Sequence, residues 1–147
     1  MTPTTGTGGR RALQVVLGTL AAIPAASGMA GMVQGADVVP GGPVVLTPSA
    51  DSEYRYAHAI WFAVGPVIWS TLPRVEENGR VLRAVSAAVV LGGLARLRSW
   101  RMTGRPHPVF VGATALELVG IPAVAAWQAH IARVAGRGRA GEPRPAE

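Results

Sequence analysis

Long, largely apolar stretches separate the clusters of charged residues in this chain. The first, residues 12–36, contains 25 consecutive uncharged residues. At about 1.5 Å per residue, a helix of that length crosses a hydrocarbon core of roughly 30 Å. The pattern predicts an all-α, four-helix transmembrane bundle, whose spans lie at about residues 12–35, 54–72, 80–102 and 108–131.

Proline and glycine predict where these helices bend and end. Pro24 and Pro66 lie inside the first and second spans, where they favour a bend. The Gly104-Arg105-Pro106 sequence is expected to end the third span. Residues 1–10 and 136–147 are predicted to be disordered tails, which leaves residues 11–135 as the membrane domain.

The first apolar stretch has an alternative interpretation as a cleaved secretory signal. Arg10 and Arg11 precede it, and Ala25-Ala26-Ser27 offers small residues for cleavage. The apolar run continues past that point to a spanning length, which favours a retained helix.

The distribution of arginine predicts an orientation in the membrane. All fourteen basic residues are arginine, and nine of them lie on one side if the four spans alternate. Because cytoplasmic loops are enriched in arginine, we expect both termini in the cytoplasm of a multi-pass cell-membrane protein. The lipid bilayer is then the main partner. The absence of lysine, with abundant Ala, Gly, Val and Pro, suggests a high-GC bacterial genome.

Composition argues against several classes of site. The net charge of +6 lies in tails and at segment ends rather than along one soluble face, so nucleic-acid binding is not predicted. Cysteine is absent, which excludes disulfides and thiolate ligands. His58, His107 and His130 lack the spacing of metal ligands, and neither a metal nor a cofactor is predicted.

Arg96 and Glu117 form the most informative polar pair. They lie about ten residues on either side of the turn at residues 104–108, so in an antiparallel hairpin they share the same depth, roughly 15 Å from the loop tip. A lone charge at that depth costs several kcal/mol, so we expect the two to pair. The alternatives are a functional role for Glu117 and exposure in a water-filled vestibule.

The same comparison of depths brings residues of the second span level with this pair. Trp61 lies level with Arg96, which allows a cation–π contact, and His58 lies about one turn further out. The sequence therefore predicts a polar pocket open to the outer face, with residues Arg55, His58, Trp61, Arg96, Arg105 and Glu117 as candidates for its lining.

Small residues predict close helix packing in the first span. Gly18, Ala22, Ala26 and Ala30 recur every four residues, a pattern typical of helix contacts in membranes. The contact is either internal or the interface of a homo-oligomer.

Three short motifs occur together in the second half of the chain. They are Leu91-Gly92-Gly93-Leu94-Ala95-Arg96, Gly104-Arg105-Pro106 and Leu116-Glu117-Leu118. In order and spacing they resemble the bacterial membrane family known as domain of unknown function 4345, over about residues 11–133. The resemblance implies four helices, with Arg96, Arg105 and Glu117 as signature positions, and it implies no known activity.

Three functions fit these observations. The first is an integral membrane protein without catalysis, in which Arg96 and Glu117 hold the bundle together. The second is a membrane enzyme of isomerase or cyclase type that acts on a lipophilic small molecule, with Glu117 as general acid or base assisted by Arg96 or His58. The third is a small proton-coupled transporter, which pairing of Glu117 with arginine disfavours.

Overall fold

The computed structural model describes residues 5–140, and over that range the chain forms helices and no strand. The all-α prediction is confirmed. Two short 3₁₀ turns, Gly35–Val38 and Leu72–Arg74, follow the first two helices. The helices form four rods: α1 (Thr5–Gln34), α2 (Pro48–Thr71), α3 (Gly79–Thr103), and a fourth rod in which α4 (Pro108–Ala115), a π-helical turn (Leu116–Gly120) and α5 (Ile121–Ala140) follow without a break.

All four rods are longer than the spans expected from hydropathy. α1 begins at Thr5 and α5 continues to Ala140, so both helices extend into the segments expected to be disordered tails. The helical backbone continues because its hydrogen bonds do not require apolar side chains. Residues 1–4 and 141–147 of those tails lie outside the described residues.

The start of α2 shows why charges are a poor guide to helix ends. The helix begins at Pro48 rather than near Tyr54, and it continues through Asp51. Thr47 caps it, since the Thr47 hydroxyl oxygen accepts a hydrogen bond from the Ala50 N–H at 3.3 Å. Proline is favoured at the first helical position because its missing N–H has no role there.

Small residues allow α1 and α2 to pack closely. A Cβ atom at Gly28 would lie 2.5 Å from the backbone nitrogen of Phe62, and one at Gly65 would lie 2.8 Å from the Ala21 carbonyl oxygen. Two indole N–H groups of α2 donate hydrogen bonds across the same contact, from Trp61 to the Ser27 hydroxyl and from Trp69 to the Gly18 carbonyl, both at 3.0 Å. The internal contact therefore uses Ala21, Ala25 and Gly28 of α1, whereas Ala22 and Ala26 of the predicted repeat are exposed.

An apolar cluster closes one end of the bundle, which we call the closed end. It consists of the buried residues Leu13, Leu17, Val75 and Leu82, from the N-terminal parts of α1 and α3 and the turn between α2 and α3. Polar groups there are satisfied by long-range contacts. The buried Gln128 side chain donates to the Val75 carbonyl at 2.9 Å, and Arg10 pairs with Glu76 at 2.9 Å.

Among the described residues, two helical stretches, Gly8–Val38 and Pro108–Arg137, are long and apolar enough to cross a membrane. Only 33% of the apolar window in the first and 11% in the second is buried inside the structure. A core helix of a water-soluble protein is mostly buried, so these stretches expose apolar surface that water disfavours.

The packing of α1 on α2 predicts opposite effects of alanine at two glycines. Gly28→Ala places a methyl group against the Phe62 backbone, which cannot turn aside, and we expect a loss of about 1–3 kcal/mol in the free energy of unfolding. Gly112→Ala is the matched control, because a Cβ atom there meets nothing within 4 Å and alanine favours the helix by up to about 1 kcal/mol. Thermal unfolding of the two purified variants measures both effects, and equal midpoints would contradict this packing.

Candidate functional site

Arg96 on α3 and Glu117 in the π-helical turn form an ion pair. The Arg96 Nε atom lies 3.2 Å from each carboxylate oxygen and donates a hydrogen bond to Oε1. The Glu117 side chain is 9% exposed, whereas that of Arg96 is 40% exposed. The acid is therefore the deeply placed member, and the guanidinium compensates for the loss of its hydration.

The π-helical turn at Glu117 has a cause in the sequence. Pro122 lacks a backbone N–H, so it cannot donate to the carbonyl oxygen of Leu118, and its ring crowds that carbonyl. The turn immediately before it is wider than an α-helix, with the Ile121 N–H donating to the Leu116 carbonyl. Such turns shift the direction of the side chains they contain and are frequent at functional sites. Pro122 was the available sequence signal for this turn.

A glycine on α3 makes room for Glu117. A Cβ atom at Gly93 would lie 2.9 Å from the Glu117 Cβ and 2.9 Å from the Leu118 Cδ2. At the adjacent Gly92 it would meet nothing within 4 Å. Gly93 therefore sets the close approach of α3 to the π-helical turn.

An aromatic ring contacts the Arg96 guanidinium group. Its guanidinium carbon lies 5.4 Å from the centre of the Phe110 ring on α4, within the range of a cation–π contact. Trp61, the partner expected from the sequence, instead donates its indole N–H to Ser27. Equal depth did not specify which way each helix face points.

A cavity of about 470 Å³ lies beside the ion pair, in the half of the bundle away from the closed end. All four rods contribute to its lining, from Leu20 on α1 to Ile121 on α5, and most of the lining is apolar. Six lining residues carry polar groups: Ser27, Tyr54, His58, Trp61, Arg96 and Glu117. An apolar pocket with a few polar groups is the usual form of a small-molecule site.

One carboxylate oxygen of Glu117 accepts no hydrogen bond from the described residues, although it lies 3.2 Å from Arg96 Nε in the ion pair. Oε2 is buried and has no hydrogen-bond partner among residues 5–140. Buried polar atoms are nearly always hydrogen-bonded, because each unpaired one costs about 1–3 kcal/mol. The site therefore retains an acceptor beside the cavity.

His58 lines the cavity from α2 in a defined orientation. Its Nδ1 lies 2.8 Å from the Tyr54 carbonyl oxygen, which can only accept, so Nδ1 carries the hydrogen. The imidazole stacks on the Tyr54 ring with centres 4.0 Å apart and packs against Gly31 of α1. In the neutral imidazole, Nε2 is therefore the nitrogen with a free lone pair.

Arg55 and Arg105, also pocket candidates from the sequence, do not line this cavity. Arg55 pairs with Asp51 at 2.7 Å and donates to the carbonyl oxygens of Met32 and Val33, where it satisfies the end of α1. Arg105 lies in the exposed turn between α3 and α4. Within the described part of the chain, no three His, Asp or Glu residues come close enough to hold a metal ion.

A double-mutant cycle measures the ion pair. Glu117→Gln is expected to lower the free energy of unfolding by about 1–3 kcal/mol, because it weakens a hydrogen bond between charged groups. Combined with Arg96→Gln, it should show a coupling of about 0.5–3 kcal/mol. The control combines Arg96→Gln with Glu76→Gln at the closed end, where the two effects should add. A cycle without coupling would show that the pair does not stabilise the bundle.

Comparison with known proteins identifies a family. No curated protein and no solved structure is significantly similar to the chain. The family described as Domain of unknown function (DUF4345) has a model that matches residues 12–128, a region that includes α2, α3, the ion pair and the whole lining of the cavity. The match confirms the resemblance carried by the Gly-Gly-Leu-Ala-Arg, Gly-Arg-Pro and Leu-Glu-Leu motifs, and it covers more than half of the chain, which therefore belongs to this family.

Proposed function

We propose that this protein is a four-span protein of the cell membrane that binds a lipophilic small molecule in the cavity between its helices. The observation that carries the proposal is the position of Glu117, whose carboxylate borders a ligand-sized cavity while one of its oxygens accepts no hydrogen bond from the described residues. Such a site has both apolar volume and a specific polar contact.

The apolar outer surface supports insertion into a membrane. Large apolar side chains are exposed on every rod, for example Val15, Ile60, Leu91 and Val119, each at least 58% exposed. Lipid tails solvate such residues without the penalty that water imposes. α1 also supplies Leu13 and Leu17 to the closed end, which supports its retention as a span rather than its removal as a signal.

The four rods alternate in direction, so the side of the membrane on which the closed end lies fixes the orientation of the whole bundle. The closed end contains Arg10, Arg74 and Arg80, and the positive-inside rule favours its placement in the cytoplasm with both termini. The cavity then lies in the outer half of the membrane.

Single cysteines test this orientation, because the chain has no cysteine of its own. A membrane-impermeant maleimide applied to intact cells should label Val45→Cys and Thr103→Cys, which lie on the predicted outer side. Glu77→Cys, in the turn at the closed end, should react only after permeabilisation. The reverse pattern would overturn the orientation, and recovery of the chain in the soluble fraction would overturn the membrane proposal.

The size of the cavity limits the ligand. At roughly 30 Å³ per water-sized group, 470 Å³ accommodates about fifteen non-hydrogen atoms. The apolar lining favours a hydrocarbon body, and the bilayer concentrates such molecules around the bundle.

The ion pair serves two purposes in this proposal. It links α3 to the fourth rod, the structural role expected from its depth, and it forms the polar part of the cavity wall. Arg96 donates its hydrogen bond to Glu117 Oε1, whereas Oε2, at the same distance from Nε, accepts none from the described residues. Occupation of the carboxylate by arginine disfavours proton-coupled transport, in which the acid exchanges a proton for a cation.

A membrane enzyme is the second candidate function. The unpartnered Oε2 of Glu117 and the His58 ring both line one cavity, and two such groups can move a proton on a bound substrate. Arg96 would then stabilise developing negative charge.

Photolabelling tests the binding site. The probes are dodecane and 1-dodecanol that each carry a diazirine at mid-chain, with the protein in lipid nanodiscs. Either probe should label cavity residues, and Ala113→Phe, which fills the cavity, should lower that labelling at least about tenfold. Ala115→Phe is the matched control, because Ala115 is exposed and lies outside the lining. Equal labelling of all three proteins would show that the cavity is not a binding site.

A further inference from the structure

We infer that the molecule held in this cavity is uncharged and amphipathic, with a hydroxyl or similar donor that hydrogen-bonds to Glu117 Oε2. This inference rests on the proposed function and specifies the class of its ligand. It follows from three features of the site: its charge balance, the Glu117 oxygen that accepts no hydrogen bond from the described residues, and the composition of its walls.

The balanced charges of Arg96 and Glu117 argue against a charged ligand in the cavity. Arg96 and Glu117 together carry no net charge, and their contact at 3.2 Å already compensates each of them. A cationic ligand would add an uncompensated charge in a mostly apolar cavity or displace Arg96, which Phe110 also holds. An anionic ligand would bring a second negative charge beside the Glu117 carboxylate. A neutral ligand avoids both penalties.

The unpartnered acceptor specifies the polar group of the ligand. Glu117 is 7% exposed, so bulk water has little access to Oε2. An ionised carboxylate oxygen can only accept, so the group that satisfies it must be a donor. A neutral donor on a hydrocarbon body is an alcohol or an amide. A carbonyl or ether oxygen cannot fill this role.

The remaining lining specifies the rest of the ligand. Around the polar pair stand apolar side chains from each rod, for example Leu20, Val64, Val89 and Ile121. Away from Glu117 and from the polar groups of Ser27, Tyr54, His58 and Trp61, a strongly polar group on the ligand would lie against hydrocarbon, which costs several kcal/mol without a partner. The ligand therefore has a largely apolar body with its donor group at Glu117, and about fifteen non-hydrogen atoms in total by the volume of the cavity.

A competition series tests the class of ligand directly on the unmodified protein. The competitors are dodecane, 1-dodecanol, dodecylamine and dodecanoate, which share one chain and differ only in the terminal group. Each competes with the photoreactive dodecanol for cavity labelling in nanodiscs, and competitor concentrations are expressed as mole fractions in the bilayer so that partitioning cancels. We expect 1-dodecanol to compete at least about tenfold better than each of the other three, the difference that a hydrogen bond to a charged group makes.

A variant pair locates the effect at Glu117. Glu117→Gln removes the charge while keeping the shape, and the advantage of dodecanol over dodecane should fall severalfold. Glu53→Gln on the exposed part of α2 should leave it unchanged. If Glu117→Gln alone does not fold, the Arg96→Gln/Glu117→Gln protein removes both charges together and serves in its place.

The outcomes separate this inference from the proposed function. Equal competition by dodecane and 1-dodecanol, with cavity labelling intact, would overturn the ligand class and leave the binding site standing. Preference for dodecylamine or dodecanoate would show that the site binds an ion. Loss of all cavity labelling would overturn both.

Discussion

The placement of one carboxylate among apolar helices is the constraint on which the structure depends. Glu117 has lost almost all contact with solvent, and a charge in that position requires compensation. Arg96 provides it from the neighbouring helix, Phe110 holds the guanidinium, and Gly93 lets α3 come close enough for contact. Pro122 widens the helix around the acid, so local backbone and long-range electrostatics act at the same place.

One end of the bundle is packed with apolar side chains, whereas the other contains a cavity. Leu13, Leu17, Val75 and Leu82 fill one end, and the Gln128 amide satisfies the backbone of the turn above them. The other end leaves a cavity instead of a core, and six of its wall residues carry polar groups. In most folds an unfilled interior lowers stability, and the cavity beside the buried ion pair is the basis of the binding site proposed above.

Part of this arrangement could be predicted from the sequence because it depends on distance along the chain. Arg96 and Glu117 are equally far from a turn that glycine and proline mark, which is enough to give their depth. Distance along the chain does not specify how each helix is rotated about its axis. For that reason the sequence did not predict that Arg96 contacts Phe110 rather than Trp61, or that Arg55 donates hydrogen bonds to the end of α1 instead of lining the cavity. The start of α2 was missed because charged residues suggested a boundary that Thr47 and Pro48 define.

The leucine-rich cluster below the cavity has a mechanical consequence. Its side chains fill the space between the helices at the closed end. The hydrogen bond from Gln128 and the ion pair of Arg10 with Glu76 stabilise the same end of the bundle. The cavity is therefore bounded on that side by packed apolar side chains. In the orientation proposed above, the cavity would therefore be accessible from one side of the membrane only.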